Sequence, residues 1–156
     1  MNSSRRWLII FTIVISVLVI ATVSLVLFTK GSKVALLPED SPEGTVQRYL
    51  IAIQNNDYQK AFSYLSLDAT SGKITSYNDW ILTIGAPLSS GQSVWKATLG
   101  KIIQNGNNSN IEVTIDTFRT GGLFGDSQNS QTINFLLIKT DNSWFITSPT
   151  FIYWIY

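Results

Sequence analysis

Residues Trp7 to Phe28 form an unbroken run of 22 residues without a charge, a glycine or a proline. At about 1.5 Å per helical residue the run reaches roughly 33 Å, close to the ~30 Å of a bilayer's hydrocarbon core. It predicts a transmembrane helix over 7–28. A cleaved signal peptide competes with this reading, but its apolar stretch is about 7–15 residues long and ends in an A-x-A pattern. Here the run is longer and is followed by Thr29, Lys30, Gly31, Ser32 and Lys33. A buried core helix would keep a polar face, and this segment has none.

The flanks orient the span weakly. Arg5 and Arg6 precede it and Lys30 and Lys33 follow it, so the positive-inside bias is small. A short basic N-terminus held inside, with a folded C-terminal part exported, is the commoner arrangement for an anchor at the start of a chain. The expected layout is a cytoplasmic N-terminus over 1–6, the transmembrane helix over 7–28, a linker over 29–40 and a folded domain over 41–156. The expected location is the cell membrane, single-pass, with the C-terminal domain outside.

Composition excludes several chemistries. The chain contains no His and no Cys, which removes His/Cys zinc sites, thiol and Ser/His nucleophiles, and disulfides. The acids are scattered without metal-ligand spacing, so no metal site is expected. Beyond residue 33 the acids outnumber the basic residues and no Lys/Arg cluster occurs, which argues against nucleic-acid binding. Charged residues are 13% of the chain, against about a quarter in an ordinary globular domain. Leaving out the apolar run raises this only to about 16%, so the rest draws its polarity from Asn, Ser, Thr and Gln.

After the linker, Ser41, Pro42 and Glu43 make a helix start: N-cap, first helical position and first-turn acid. Val46, Tyr49, Leu50 and Ile53 share one face at helical spacing, and Asn55 and Asn56 end the helix. Asp57 caps a second helix with Tyr58, Ala61, Phe62 and Leu65 in its stripe. Ser76 and Asp79 have the form of a capping box ahead of Trp80, Ile81 and Ile84, and this third helix should end near Gly85, Ala86 and Pro87.

From Gly91 the period becomes two. Trp95, Ala97 and Leu99, then Ile111, Val113 and Ile115, alternate with polar residues around the turn-rich stretch Gln104 to Asn110, which predicts a hairpin. A Gly-rich connection over Thr120 to Ser127 leads to Thr132–Lys139, apolar on both faces and so expected to be central. Asp141 and Asn142 turn the chain into Trp144, Phe145 and Ile146. The terminal run Phe151 to Tyr156 reads as a last strand, with a partner-binding edge or a membrane-interface contact as the other readings. Helices grouped before four or five antiparallel strands imply an α+β domain, its helices on one face of a curved meander.

The segment Ser41 to Ser66 resembles the opening of the NTF2-like (cystatin-like α+β cone) superfamily, in particular its small membrane-anchored bacterial members of unknown function. Pro42, Val46, Tyr49, Ala52, Asp57, Tyr58, Ala61, Phe62, Leu65 and Ser66 occupy the pattern positions. Asn142 to Ile146, with Ser148 and Pro149, is similar to the closing strand. The resemblance implies a cone of two or three helices on a curved antiparallel sheet, following the N-terminal transmembrane helix expected over 7–28. It is weak for activity, because the superfamily holds isomerases, dehydratases, transport factors and interaction domains.

Enzymes of that kind place an Asp, Tyr or His inside the cone. Asp57 and Asp79 have capping roles, and Asp116 falls on the face of Glu112 and Thr114, as a surface charge. Tyr49, Trp80, Trp95 and Arg119 are the candidate pocket-lining residues. Core packing is the competing reading for the three aromatics, and an edge position for Arg119. No catalytic residue or cofactor is assigned. The expected function is a non-enzymatic, membrane-anchored, extracytoplasmic binding or interaction module; the alternative is a small-molecule isomerase or dehydratase with a Tyr/Asp pair in the cone. The expected partners are the membrane, through 7–28, an envelope protein or a second copy of the chain, and a small apolar ligand.

Overall fold

The computed structural model describes residues 3–29, 35–66, 74–89, 94–121 and 125–155. The chain divides into two compact units, Met1–Ala35 and Leu36–Tyr156. The first holds helix α1, Ser3–Thr29. Its described apolar side chains are exposed, among them Trp7, Phe11, Val17 and Ile20. Among the described residues no helix is long and apolar enough to cross a membrane. Side chains are described without a break only over 9–24, short of the roughly 20 residues a span needs. The expected span over 7–28 therefore does not stand on the described residues.

The second unit begins with α2, Pro42–Gln54, whose start follows its sequence signals. The Ser41 Oγ accepts the Gly44 N–H at 3.0 Å, and Val46, Tyr49, Leu50 and Ile53 are buried along one face. Part of the expected linker is held on this helix: the Leu37 N–H donates to the Gln47 Oε1 at 2.8 Å. Helix α3, Tyr58–Phe62, is capped by Asp57, which accepts the Lys60 N–H. It is shorter than its stripe suggested. Leu65 lies outside it, in a parallel bridge to Ile146, because the chain here pairs its backbone with the sheet: the Ile146 N–H donates to the Tyr64 carbonyl and the Ser66 N–H to the Ile146 carbonyl.

Helix α4, Tyr77–Ser89, runs past Gly85 and Pro87 rather than ending there. Its start differs from a standard capping box. The Ser76 Oγ accepts the Asp79 N–H at 3.2 Å, while the Asp79 carboxylate reaches back to the hydroxyl and N–H of Thr75.

The four strands β1 (Val94–Asn105), β2 (Asn108–Gly121), β3 (Gly125–Thr140) and β4 (Ser143–Ser148) form one antiparallel meander in chain order. The turn between β1 and β2 is tighter than the Gln104–Asn110 stretch suggested, while the turn between β3 and β4 falls where expected. Gly106, with φ of 58°, opens the two-residue turn between β1 and β2, and Asp141 and Asn142, with φ of 47° and 70°, make the turn between β3 and β4. Positive φ at these sites suits the right-handed twist of paired strands. Strand β3 lies inside the sheet, as expected, but only one of its faces is covered: Phe135 and Leu137 are buried while Leu136 is 45% exposed.

No fifth strand forms among the described residues. Phe151, Ile152 and Ile155 are buried, the last within a 3-10 turn over Tyr153–Ile155. These three residues are core material, without extended pairing. Helices before a four-stranded antiparallel sheet agree with the expected α+β class, and the core is one cluster joining α2, α4, all four strands and the terminal segment.

Candidate functional site

The interior between helices and sheet is filled by large side chains. Tyr49 and Trp80 are fully buried, and both polar atoms are used: the Tyr49 Oη and the Trp80 Nε1 each donate to the Thr150 carbonyl at 3.0 Å. Edge contacts join Tyr49 to Phe135 and Trp80 to Phe151. Trp95 is buried on β1, and its Nε1 has no hydrogen-bond partner. Arg119 stands opposite Ser127 in the register, and its side chain lies outside the described residues. Tyr49, Trp80 and Trp95 are not among the residues that line the open cleft of this unit.

That cleft lies at the β1–β2 hairpin end of the sheet, and its geometry comes from two irregularities. On β1, Gly100 and Lys101 together face Glu112, so the register shifts between Leu99 and Ile102. On β4, Thr147 is the extra residue between the pairs Leu137–Ile146 and Leu136–Ser148. An extra residue reverses the facing of everything beyond it and bends the strand. Strict alternation from Trp95 would put Ile103 on the helix-covered face; the bulge instead sets it beside Asn110 on the outward face.

Ile103, Leu136 and Ile138 wall the cleft, with Asn105, Asn108, Ser109, Asn110, Leu137 and Thr147 completing it around about 480 Å³. Every one of these side chains is neutral. The Thr147 Oγ1 is used by the Leu136 carbonyl. Ser109 Oγ and Asn110 Oδ1 are buried and have no hydrogen-bond partner. The Asn-rich stretch that reads as turn in the sequence thus supplies much of a cleft. Its density of amides was the available signal, but nothing local shows the bulge that brings Ile103 to it.

The acids sit elsewhere. Asp116 accepts a hydrogen bond from the Ser130 hydroxyl across β2 and β3 on the outward face. The hydroxyl and N–H of Thr75 and those of Ser76 hold the Asp79 carboxyl below the usual carboxylate range. Among the described residues no cluster of acids could hold a metal ion.

No family model and no curated protein matches the chain. Solved structures do. A SEC-C motif containing protein from Rhodopseudomonas palustris is similar at 12% identity over 72% of this chain and 79% of that one, with a TM-score of 0.52. That likeness is one of fold. An NTF2-like protein of unknown function from Burkholderia pseudomallei is similar at 11% identity over 73% and 93%, with a TM-score of 0.46. An LEH-like epoxide hydrolase from M. tuberculosis is similar at 17% identity over 66% and 71%, with a TM-score of 0.43. Identity this low assigns no activity.

Proposed function

We propose that this chain is a membrane-anchored NTF2-like protein whose C-terminal domain works outside the cytoplasm as a non-enzymatic binding or interaction module. The observation that carries the reading is the shared acceptor in the interior. The Tyr49 hydroxyl and the Trp80 indole N–H, two polar groups of the interior, both donate to the Thr150 carbonyl. A general acid or base must instead reach the reacting atom within hydrogen-bond distance. The uncharged run over 7–28 supports the anchor, as does the exposure of its described apolar side chains, an arrangement that water disfavours.

Two experiments test this. Protease added to intact cells should digest the domain beyond residue 40, and protection of that domain would overturn the outward orientation. In labelled protein, the Trp80 indole resonance should stay unmoved during a screen of small enones, epoxides and hydroxy-acyl compounds. Saturable shifts there accompanied by turnover would replace the binding reading with an enzymatic one.

A further inference from the structure

The chain is rich in asparagine, yet only Asn105 is followed by glycine. Asn105 is the last residue of β1, and Gly106 opens the two-residue turn to Asn108. Both groups needed for an intramolecular reaction are free there. Among the described residues no hydrogen bond holds the exposed Asn105 side-chain amide, and none holds the Gly106 N–H, which stands outside the ladder that closes on the Asn105–Asn108 pair. Gly106 has no Cβ to screen its nitrogen, and the space around it is open: a Cβ built there would meet nothing within 4 Å. From this we propose that Asn105 is a site of spontaneous covalent modification, at which the folded hairpin converts its own amide to aspartate and isoaspartate and so gives the neutral outward cleft a negative charge. The site is independent of the binding-module reading.

The Gly106 nitrogen gives up its proton to solvent base and attacks the Asn105 Cγ. A new C–N bond closes a succinimide ring, the bond from Cγ to the side-chain nitrogen breaks, and that nitrogen leaves with a proton as ammonia. Water, the only co-reactant, then opens the ring. Breaking the ring bond to Cγ gives aspartate; breaking the ring bond to the backbone carbonyl carbon gives isoaspartate, with the main chain rerouted through Cγ. The other asparagines lack this combination. Asn56 gives its Oδ1 to the Tyr58 hydroxyl, Asn110 and Asn134 precede the buried strand residues Ile111 and Phe135, and Asn142 precedes Ser143, whose Cβ crowds the attacking nitrogen. Either product carries a carboxylate that is ionised at neutral pH. Asn105 lines the cleft together with uncharged residues alone, so the conversion changes the charge of that surface. Isoaspartate also lengthens the backbone by a methylene directly opposite Asn108.

The test incubates the full chain in phospholipid nanodiscs in mildly alkaline buffer and follows every asparagine by peptide mass spectrometry, with fragmentation that separates aspartate from isoaspartate. A free peptide of residues 101–110 is the unfolded reference. Asn105 should convert first, roughly tenfold faster than Asn142, the asparagine of the other hairpin turn, with isoaspartate among its products and at a rate within roughly tenfold of the free peptide, a span of barrier heights that a permissive turn can produce. Asn105→Gln keeps a neutral amide but requires a larger ring, and it should convert at that position roughly tenfold more slowly or not at all. Four results would each overturn the proposal: another asparagine converting as fast as Asn105, aspartate formed without isoaspartate, a folded chain in which the turn slows the reaction beyond that span, or undiminished loss of ammonia in Asn105→Gln. The first three are read on the unsubstituted chain and stand whether or not the variant folds.

Discussion

Tyr49 on α2 and Trp80 on α4 donate to one oxygen, the carbonyl of Thr150, each at 3.0 Å. Two helices distant in sequence are thereby tied to the segment that follows β4. The acceptor has two lone pairs and each takes one of the two donors, so this partly buried carbonyl is satisfied beside the aromatic rings.

This shared acceptor predicts non-additivity. Tyr49→Phe should cost about 0.5–1.5 kcal/mol, because the Thr150 carbonyl keeps the indole donor. Trp80→Phe should cost more, since it also leaves a cavity. The double variant should lose more than the sum of the two, having stripped a buried carbonyl of both donors. Urea denaturation of the four proteins reads the coupling, and strict additivity would show that the two bonds act independently.

Gly44 should not tolerate a side chain. A Cβ built there would lie 1.8 Å from the Pro38 carbonyl oxygen, which itself accepts the Ser41 hydroxyl and N–H. Gly44→Ala must displace the segment before α2, at about 1–3 kcal/mol. Ser41→Ala should cost about 1 kcal/mol through the lost cap. Denaturant midpoints of both variants check the order.

The terminal aromatic segment should divide sharply between its residues. Phe151 is 2% exposed and Tyr153 50% exposed. Phe151→Ala should destabilise by about 3–5 kcal/mol, whereas Tyr153→Ala should stay within about 0.5–1 kcal/mol. Equal effects in a thermal melt would mean that the run acts as an edge or interface rather than as core.

Asp79 should make stability depend on pH in acid. Its carboxyl is held below the ordinary carboxylate range by hydrogen bonds to Thr75 and Ser76, so the folded state favours the ionised form. The contribution is fully present above the unfolded-state pKa and is lost as pH falls through the lower folded-state value. The stability gap between the native protein and Asp79→Asn should therefore narrow as pH drops below 3.8. A gap that is constant across that window would contradict the role of these hydrogen bonds.

The helix start at Ser41, the Asp57 cap and the stripes through Tyr49 and Trp80 are legible in the sequence, because caps and helical periodicity act over three or four residues. The inward alternation of Ile111, Val113 and Ile115 is legible for the same reason. The facing of Ile103 is not. It depends on two β1 residues, Gly100 and Lys101, facing one β2 residue, Glu112, and such a register is set by how whole strands pack. Leu65 likewise reads as helix stripe but pairs with Ile146, a choice made by the free edge of β4.

By itself the sequence determined the uncharged run over 7–28, the absence of His and Cys, and the order of helices before strands. Each is a property of composition or short-range spacing. Only the tertiary structure decided that Phe151, Ile152 and Ile155 are buried without forming a strand, that Tyr49 and Trp80 spend their donors on one carbonyl, and that Ser109 and Asn110 line a neutral cleft between two bulges. Those outcomes turn on which backbone and side-chain groups find partners across the sheet, and that competition is settled by contacts far apart in the chain.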